Sequence, residues 1–86
     1  MERVGLLAGA GHLPVECAKA AKRLGFEVCA VRLLDESPEE LKECAAECVD
    51  ISIGHIDAIL NYLKEKGIKK VTMLGKVTKE LLFNGK

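Results

Sequence analysis

A glycine-rich turn near the start of the chain has the residue types that bind phosphate. The apolar residues 4–8 end at Gly9-Ala10-Gly11, and His12 follows directly. Glycines allow backbone N–H groups to turn toward an anion, and the N-terminus of a following helix adds its dipole. Gly75-Lys76 ends a later apolar run and offers an ammonium group. These segments predict a phosphate-binding cleft formed by six residues: Gly9, Ala10, Gly11, His12, Gly75 and Lys76.

The same turn partly matches the G-x-G-x-x-G pattern of dinucleotide-binding domains. Gly9 and Gly11 occupy the first two glycine positions, but the third falls on Pro14. A proline ring does not permit the close packing of helix and strand that glycine allows there. Asp35 stands near the place of the acidic residue that binds ribose in such domains. Three interpretations stay open: a dinucleotide site, a site for another phosphate-bearing ligand, and a tight turn that only joins a strand to a helix.

The other reactive side chains are better explained as core or surface residues. Cys44 and Cys48 are four positions apart, unlike the C-x-x-C spacing of zinc and redox sites. We interpret them, together with Cys17 and Cys29, as buried thiols, and His55 as a solvated residue in the first turn of a helix. Four glutamates share one predicted helix face, interpreted as solvated surface: Glu39, Glu40, Glu43 and Glu47. We predict no catalytic residue and no metal ligand in this chain.

Composition narrows the class of protein. The 86 residues suit one small domain, and 13 Lys+Arg against 13 Asp+Glu give a net charge near zero. Binding to nucleic acids or anionic membranes needs a basic surplus, and one Tyr with two Phe is too few aromatic residues for a base-stacking surface. The sequence shows no signal peptide and no apolar run of membrane-spanning length. Four cysteines without an export signal predict a cytoplasmic protein.

The elements that position the cleft follow a regular alternation. Four apolar runs predict strands that begin at positions 4, 26, 49 and 71, a spacing of 22 or 23 residues that is typical of βα units. Residues 49–53 alternate between apolar and polar, as in an edge strand, whereas residues 4–8 are apolar throughout, as in a central strand. We therefore predict a three-layer α/β Rossmann-like half with a four-stranded parallel sheet in the order 3-2-1-4. A flavodoxin-like order 2-1-3-4 is the alternative.

Three amphipathic patterns with the i, i+3, i+4, i+7 spacing predict helices between the strands. They comprise Cys17, Ala20, Ala21 and Leu24; Leu41, Cys44, Ala45 and Cys48; and Ile56, Ile59, Leu60 and Leu63. Pro14 suits the first turn of the first helix, and Gly25 and Gly67 suit the ends of the first and third. Residues 37–40, Ser-Pro-Glu-Glu, predict a capping box at the start of the second.

Two stretches resemble a known enzyme family. Residues 5–14, GLLAGAGHLP, resemble the opening signature of the UDP-2,3-diacylglucosamine pyrophosphatases of lipid A synthesis. Residues 52–77, SIGHIDAILNYLKEKGIKKVTMLGKV, resemble the second conserved stretch of that family. Seven residues match the family pattern: Gly9, Gly11, Leu13, Pro14, Gly54, Gly75 and Lys76. Three depart from it: Ala10 replaces a frequent glycine, His55 a common glutamine and Glu80 a common proline.

The resemblance implies hydrolysis of UDP-2,3-diacylglucosamine to UMP and 2,3-diacylglucosamine 1-phosphate with a divalent metal, Mg or Mn. It also implies two domains, of which the C-terminal one carries the catalytic acids and the metal ligands. We expect residues 1–76 to form the N-terminal Rossmann-like domain and residues 77–86 to begin a linker or next element of a longer protein. The chain alone is then expected to be catalytically inactive.

The expected partners follow from the same resemblance. They are the UDP-linked diacylated glucosamine or its product and the C-terminal catalytic domain, with no nucleic acid. Peripheral membrane contact through the longer protein is a further expectation, and the apolar residues 81–83 suggest docking to the second domain or to a second copy. Two rival functions stay open: a non-catalytic nucleotide-binding or interaction domain, and a fragment of a dinucleotide-dependent oxidoreductase.

Overall fold

Strands and helices alternate along the chain, as the sequence predicts. The computed structural model describes residues 2–75. Within this range the strands are β1 (Arg3–Ala8), β2 (Glu27–Arg32), β3 (Glu47–Asp50) and β4 (Lys70–Leu74). The helices are α1 (Leu13–Arg23), α2 (Leu41–Cys44) and α3 (Ile56–Glu65). Every strand begins within two residues of its predicted start.

The strands form one parallel sheet in the order β3-β2-β1-β4, which confirms the predicted order and excludes the flavodoxin-like alternative. Strand β1 is central and pairs with β2 on one side and β4 on the other. The chain therefore leaves β1 toward β2 but enters β4 on the opposite side of β1. This reversal creates a topological switch point at the carboxyl ends of β1 and β4, where open α/β sheets bind ligands.

Helices cover both faces of the sheet and divide the core in two. On one face α1 and α2 pack over β1 and β2, with a core of Leu6, Ala8, Val15, Ala18, Val28, Ala30 and Leu41. On the other face Ile59 and Leu63 of α3 form a core with Val31, Leu33 and Ile53. Alternate residues of β1 and β2 face opposite cores because side chains alternate along a strand. The structure is thus the predicted three-layer α/β arrangement.

The predicted ends of α1 and α3 are confirmed. Pro14 lies in the first turn of α1 and is fully buried. Gly25 and Gly67 follow α1 and α3 with φ angles of 92° and 68°, the left-handed conformation that glycine adopts without steric strain. The apolar face of α1 is rotated from its prediction, because Val15 and Ala18 are buried while Leu24 is exposed.

The second helix is much shorter than predicted. Only Leu41–Cys44 is helical, and Cys48 lies in β3, where it pairs with Ala30. The predicted capping box is wrong, because the Ser37 hydroxyl donates to the carbonyl of Ala8 rather than capping a helix. Strand pairing explains the difference: β3 already begins at Glu47, and a register of parallel hydrogen bonds outweighs the weak local preference for helix.

Helix α3 buries only part of its predicted apolar stripe. Ile59 and Leu63 belong to the core, whereas Ile56 and Leu60 are more than half exposed among the described residues. The helix therefore contacts the sheet through a narrower face than the periodicity suggests. Within residues 2–75 no helix combines the length and the apolar character that crossing a bilayer requires.

Candidate functional site

Three of the residues predicted for the cleft, Gly9, Ala10 and Gly75, lie together at the switch point. The N–H of Gly9 donates to the carbonyl of Leu74 at 2.8 Å, which joins the end of β1 to the end of β4. A Cβ atom placed on Gly75 would lie 2.7 Å from the Ala10 carbonyl oxygen and 2.9 Å from the Gly9 carbonyl carbon. Gly75 also has a φ of 97°. Only a residue without a side chain allows the two segments to approach so closely.

The turn between β1 and α1 presents backbone donors. Helix α1 begins at Leu13, and its first internal acceptor is the His12 carbonyl, which accepts from the N–H groups of Val15 and Glu16 at 3.0 and 3.3 Å. No carbonyl among the described residues accepts from the N–H groups of His12 or Leu13. Such donors at a helix N-terminus are the groups that bind anions.

His12 lies between two carboxylates. Its Nε2 is 3.0 Å from Glu16 Oε2, and its Nδ1 is 4.0 Å from Glu40 Oε1. The side chain forms no cap hydrogen bond with α1. The imidazole therefore bridges the first turn of α1 and the segment before α2. Glu16 and Glu40 also place negative charge beside the turn, so an anion bound there needs a cation from elsewhere. Lys76, the predicted source, lies outside the described residues.

A buried arginine that the sequence analysis missed organises the neighbouring loop. Arg32 ends β2 and is 9% exposed. Its guanidinium donates to Asp50 Oδ1 at 2.9 Å through Nη1 and to the Ser37 carbonyl at 2.8 Å through Nη2. The Ser37 hydroxyl in turn donates to the Ala8 carbonyl at 2.7 Å. The loop after β2 is thereby fixed against the residue that precedes the glycine turn. An arginine directly after the apolar residues 28–31 was the available signal.

A second polar cluster lies at the amino ends of the strands, opposite the glycine turn. The Tyr62 hydroxyl donates to Glu47 Oε1 at 2.6 Å, and Lys66 Nζ is 3.0 Å from Glu47 Oε2. The hydrogen bond from Tyr62, followed by that from Lys66, lowers the pKa of the Glu47 carboxyl from its ordinary value. Burial, followed by the bond to Glu47, raises the pKa of Tyr62. These contacts attach α3 to β3 at the amino ends of the strands, far from the turn. The prediction that Glu47 lies on a solvated helix face is therefore wrong, because Glu47 begins β3 and is paired with α3.

The described residues do not fit the divalent metal that the family resemblance implies. Within residues 2–75 no group of three or more His, Cys, Asp or Glu side chains is placed to hold a metal ion. His12, Glu16 and Glu40 are close together, but their contacts are two separate imidazole–carboxylate pairs. We therefore assign no metal ligand and no metal-dependent step to this part of the chain.

Fold and site together define a Rossmann-like α/β domain with a glycine turn at its switch point. Comparison with protein families identifies it further: the model described as the LpxI N-terminal domain matches residues 3–86. The chain belongs to this family. The match includes both stretches that carry the resemblance noted in the sequence. A comparison with curated proteins gives no match.

Proposed function

We propose that this chain is the ligand-binding N-terminal domain of a UDP-2,3-diacylglucosamine hydrolase of lipid A synthesis. The complete enzyme would cleave its substrate to UMP and 2,3-diacylglucosamine 1-phosphate in the cytoplasm. The observation that carries the proposal is the contact of Gly75 with Gly9 and Ala10 in a chain of the LpxI N-terminal domain family. This contact aligns two glycine segments at the edge where parallel sheets bind ligands.

In this proposal the turn binds a phosphate group of the substrate. The N–H groups of His12 and Leu13 at the start of α1 are proposed as its donors, and the dipole of α1 adds favourable potential. Because Glu16 and Glu40 flank the His12 ring, we assign the phosphate to the backbone of the turn rather than to the imidazole. Lys76 is proposed as the compensating cation. The catalytic carboxylates and metal are proposed to belong to the second domain.

The proposed site favours a nucleotide of a UDP-sugar over a dinucleotide. The third glycine position of the dinucleotide pattern holds Pro14, which is fully buried in the first turn of α1. Its ring fills the space that glycine leaves open in dinucleotide-binding domains. We therefore expect UMP to bind and NAD to bind much more weakly.

Isothermal titration calorimetry of the chain with UMP tests the proposal, with Gly11→Ala as the variant and Gly25→Ala as its matched control. Both glycines have left-handed φ angles, 102° and 92°, and neither Cβ would meet a described atom within 4 Å. The two substitutions therefore introduce similar backbone strain, but only Gly11 lies in the turn. We expect UMP affinity to fall about tenfold or more in Gly11→Ala, which corresponds to about 1.4 kcal/mol, and to be unchanged in Gly25→Ala.

Two results would reject the proposed function. Absence of UMP binding by the chain would remove its basis, and binding of NAD in place of UMP would favour the oxidoreductase alternative. Equal loss of UMP affinity in both glycine variants would show that backbone strain, and not the turn, controls binding.

A further inference from the structure

A cavity of about 380 Å³ lies at the carboxyl ends of β2 and β3, beside the glycine turn. Its polar lining includes Arg32, Asp35, Asp50 and Ser52. Two hydrogen bonds join this region to Ala8, the residue before the turn: the Leu33 N–H donates at 3.0 Å and the Ser37 hydroxyl at 2.7 Å. The cavity and the turn therefore lie at the same edge of the sheet and follow neighbouring strands, β2 and β1. Its volume is in the range of small-molecule sites.

The acidic residues of the cavity favour a ligand group that is neutral and donates hydrogen bonds. The Arg32 guanidinium is already engaged by Asp50 and by the Ser37 carbonyl, and it is 9% exposed. Two further acidic residues, Asp35 and Glu36, are among those that line the cavity. A phosphate group would therefore meet net negative charge, whereas a hydroxyl group would meet acceptors.

Asp50 provides the best-positioned acceptor. Arg32 Nη1 holds its Oδ1 at 2.9 Å, while the side chain is 59% exposed. Among the described residues no donor reaches the second oxygen, Oδ2. The arginine thus fixes the orientation of a carboxylate whose other oxygen is available to a ligand.

We propose that this cavity binds the ribose of the nucleotide whose phosphate lies at the glycine turn, with Asp50 accepting hydrogen bonds from the ribose hydroxyls. This inference rests on the proposed function and extends it to a second part of the ligand. The ribose of a 5′-nucleotide carries two adjacent free hydroxyls, at positions 2′ and 3′, and its phosphate is attached at position 5′. The glucosamine of a 2,3-diacylated substrate carries acyl groups at positions 2 and 3, so it lacks such a pair. Arg32 is a positioning residue in this arrangement.

The first test compares ligands with the unmodified chain. Calorimetric titration with UMP and with 2′,3′-dideoxyuridine 5′-monophosphate measures the contribution of the hydroxyls without any substitution. A hydrogen bond to a charged group predicts about tenfold or more weaker binding of the dideoxy ligand. Glucosamine 1-phosphate is titrated in parallel to distinguish ribose from the sugar at the other end of the substrate, and we expect it to bind more weakly than UMP.

The second test uses Asp50→Asn with Glu36→Gln as its control. The asparagine can keep the acceptor for Arg32 but replaces Oδ2 with a donor, whereas Glu36→Gln makes the same change of charge at an exposed position of the cavity rim. We expect the preference for UMP over the dideoxy ligand to disappear in Asp50→Asn and to persist in Glu36→Gln.

Three results would overturn the inference. Equal affinity of the unmodified chain for UMP and the dideoxy ligand would refute the ribose site while leaving phosphate binding at the turn intact. Tighter binding of glucosamine 1-phosphate than of UMP, lost in Asp50→Asn, would assign the cavity to the other sugar. Failure of both nucleotides to bind would refute the proposed function, and the ribose site with it.

Discussion

Replacement of Gly75 by alanine should damage the turn more than its sequence position suggests. The added Cβ would lie 2.7 Å from the Ala10 carbonyl oxygen, 2.9 Å from the Gly9 carbonyl carbon and 3.1 Å from Gly9 Cα. All three contacts are with backbone, which cannot move aside as a flexible side chain can. Overpacking of this kind destabilises a protein by about 1–3 kcal/mol. The left-handed φ of 97° adds about 1 kcal/mol or more for a residue with a side chain.

Gly25→Ala separates these two contributions. Gly25 has a similar φ of 92°, yet its added Cβ would meet no described atom within 4 Å. The control therefore carries the backbone strain without the collision. We expect Gly75→Ala to lower the free energy of unfolding by about 2–4 kcal/mol and Gly25→Ala by about 1 kcal/mol.

Thermal and urea unfolding followed by circular dichroism measure the difference. For a domain of this size, each kcal/mol changes Tm by about 4–8 °C, so the Gly75 variant should melt at least about 4 °C below the Gly25 variant. Equal Tm values for the two variants would refute the reasoning, because they would show that the ends of β1 and β4 do not approach as closely as the structure indicates.

Two further predictions concern the other edge of the sheet and α3. Tyr62→Phe should reduce stability most at neutral pH, because the Tyr62 hydroxyl is the main cause of the lowered pKa of Glu47. A lowered carboxyl pKa contributes stability above the ordinary value of 4.5 and loses it as pH falls through the folded-state pKa, so urea unfolding from pH 7 to pH 3 should show the two proteins converging. Ile59→Ala should lower the free energy of unfolding by about 2–5 kcal/mol, whereas Leu60→Ala, at a position that is 53% exposed, should change it by about 0.5 kcal/mol or less.

Each of these has a contrary result. A constant stability difference between the unmodified chain and Tyr62→Phe from pH 7 to pH 3 would show that the hydroxyl does not control the Glu47 charge. Equal effects of the two alanine substitutions in α3 would show that the whole predicted stripe, and not half of it, is buried.

Local sequence patterns were sufficient to predict four strands, each with its start within two residues, and two of the three helices. Residues 4–8 are apolar throughout and form the central strand, and the left-handed glycines at positions 25 and 67 end their helices. The prediction of the second helix was wrong because amphipathic spacing at residues 41–48 takes no account of a neighbouring strand. Pairing of Glu47–Asp50 with β2 places the last residue of that pattern, Cys48, in a strand.

The arrangement of the glycine turn was partly predictable. Glycine spacing and the order of the strands place Gly9, Ala10 and Gly75 together, while ligand binding at this turn stays a prediction. The carboxylates beside His12 come from different segments, Glu16 and Glu40, so no local pattern shows them together. The role of Arg32 depends on Asp50, which is 18 residues away in the chain.

The sequence by itself determined the alternation of strands and helices, the parallel sheet and the glycine turn, because these depend on side-chain periodicity and on conformations that neighbouring residues impose. Only the tertiary structure decided which apolar residues are buried, where β3 begins and which charges are paired. Those outcomes depend on contacts between residues far apart in the chain. The free energy of such contacts is set by distances and burial that appear only when the sheet and its helices are assembled.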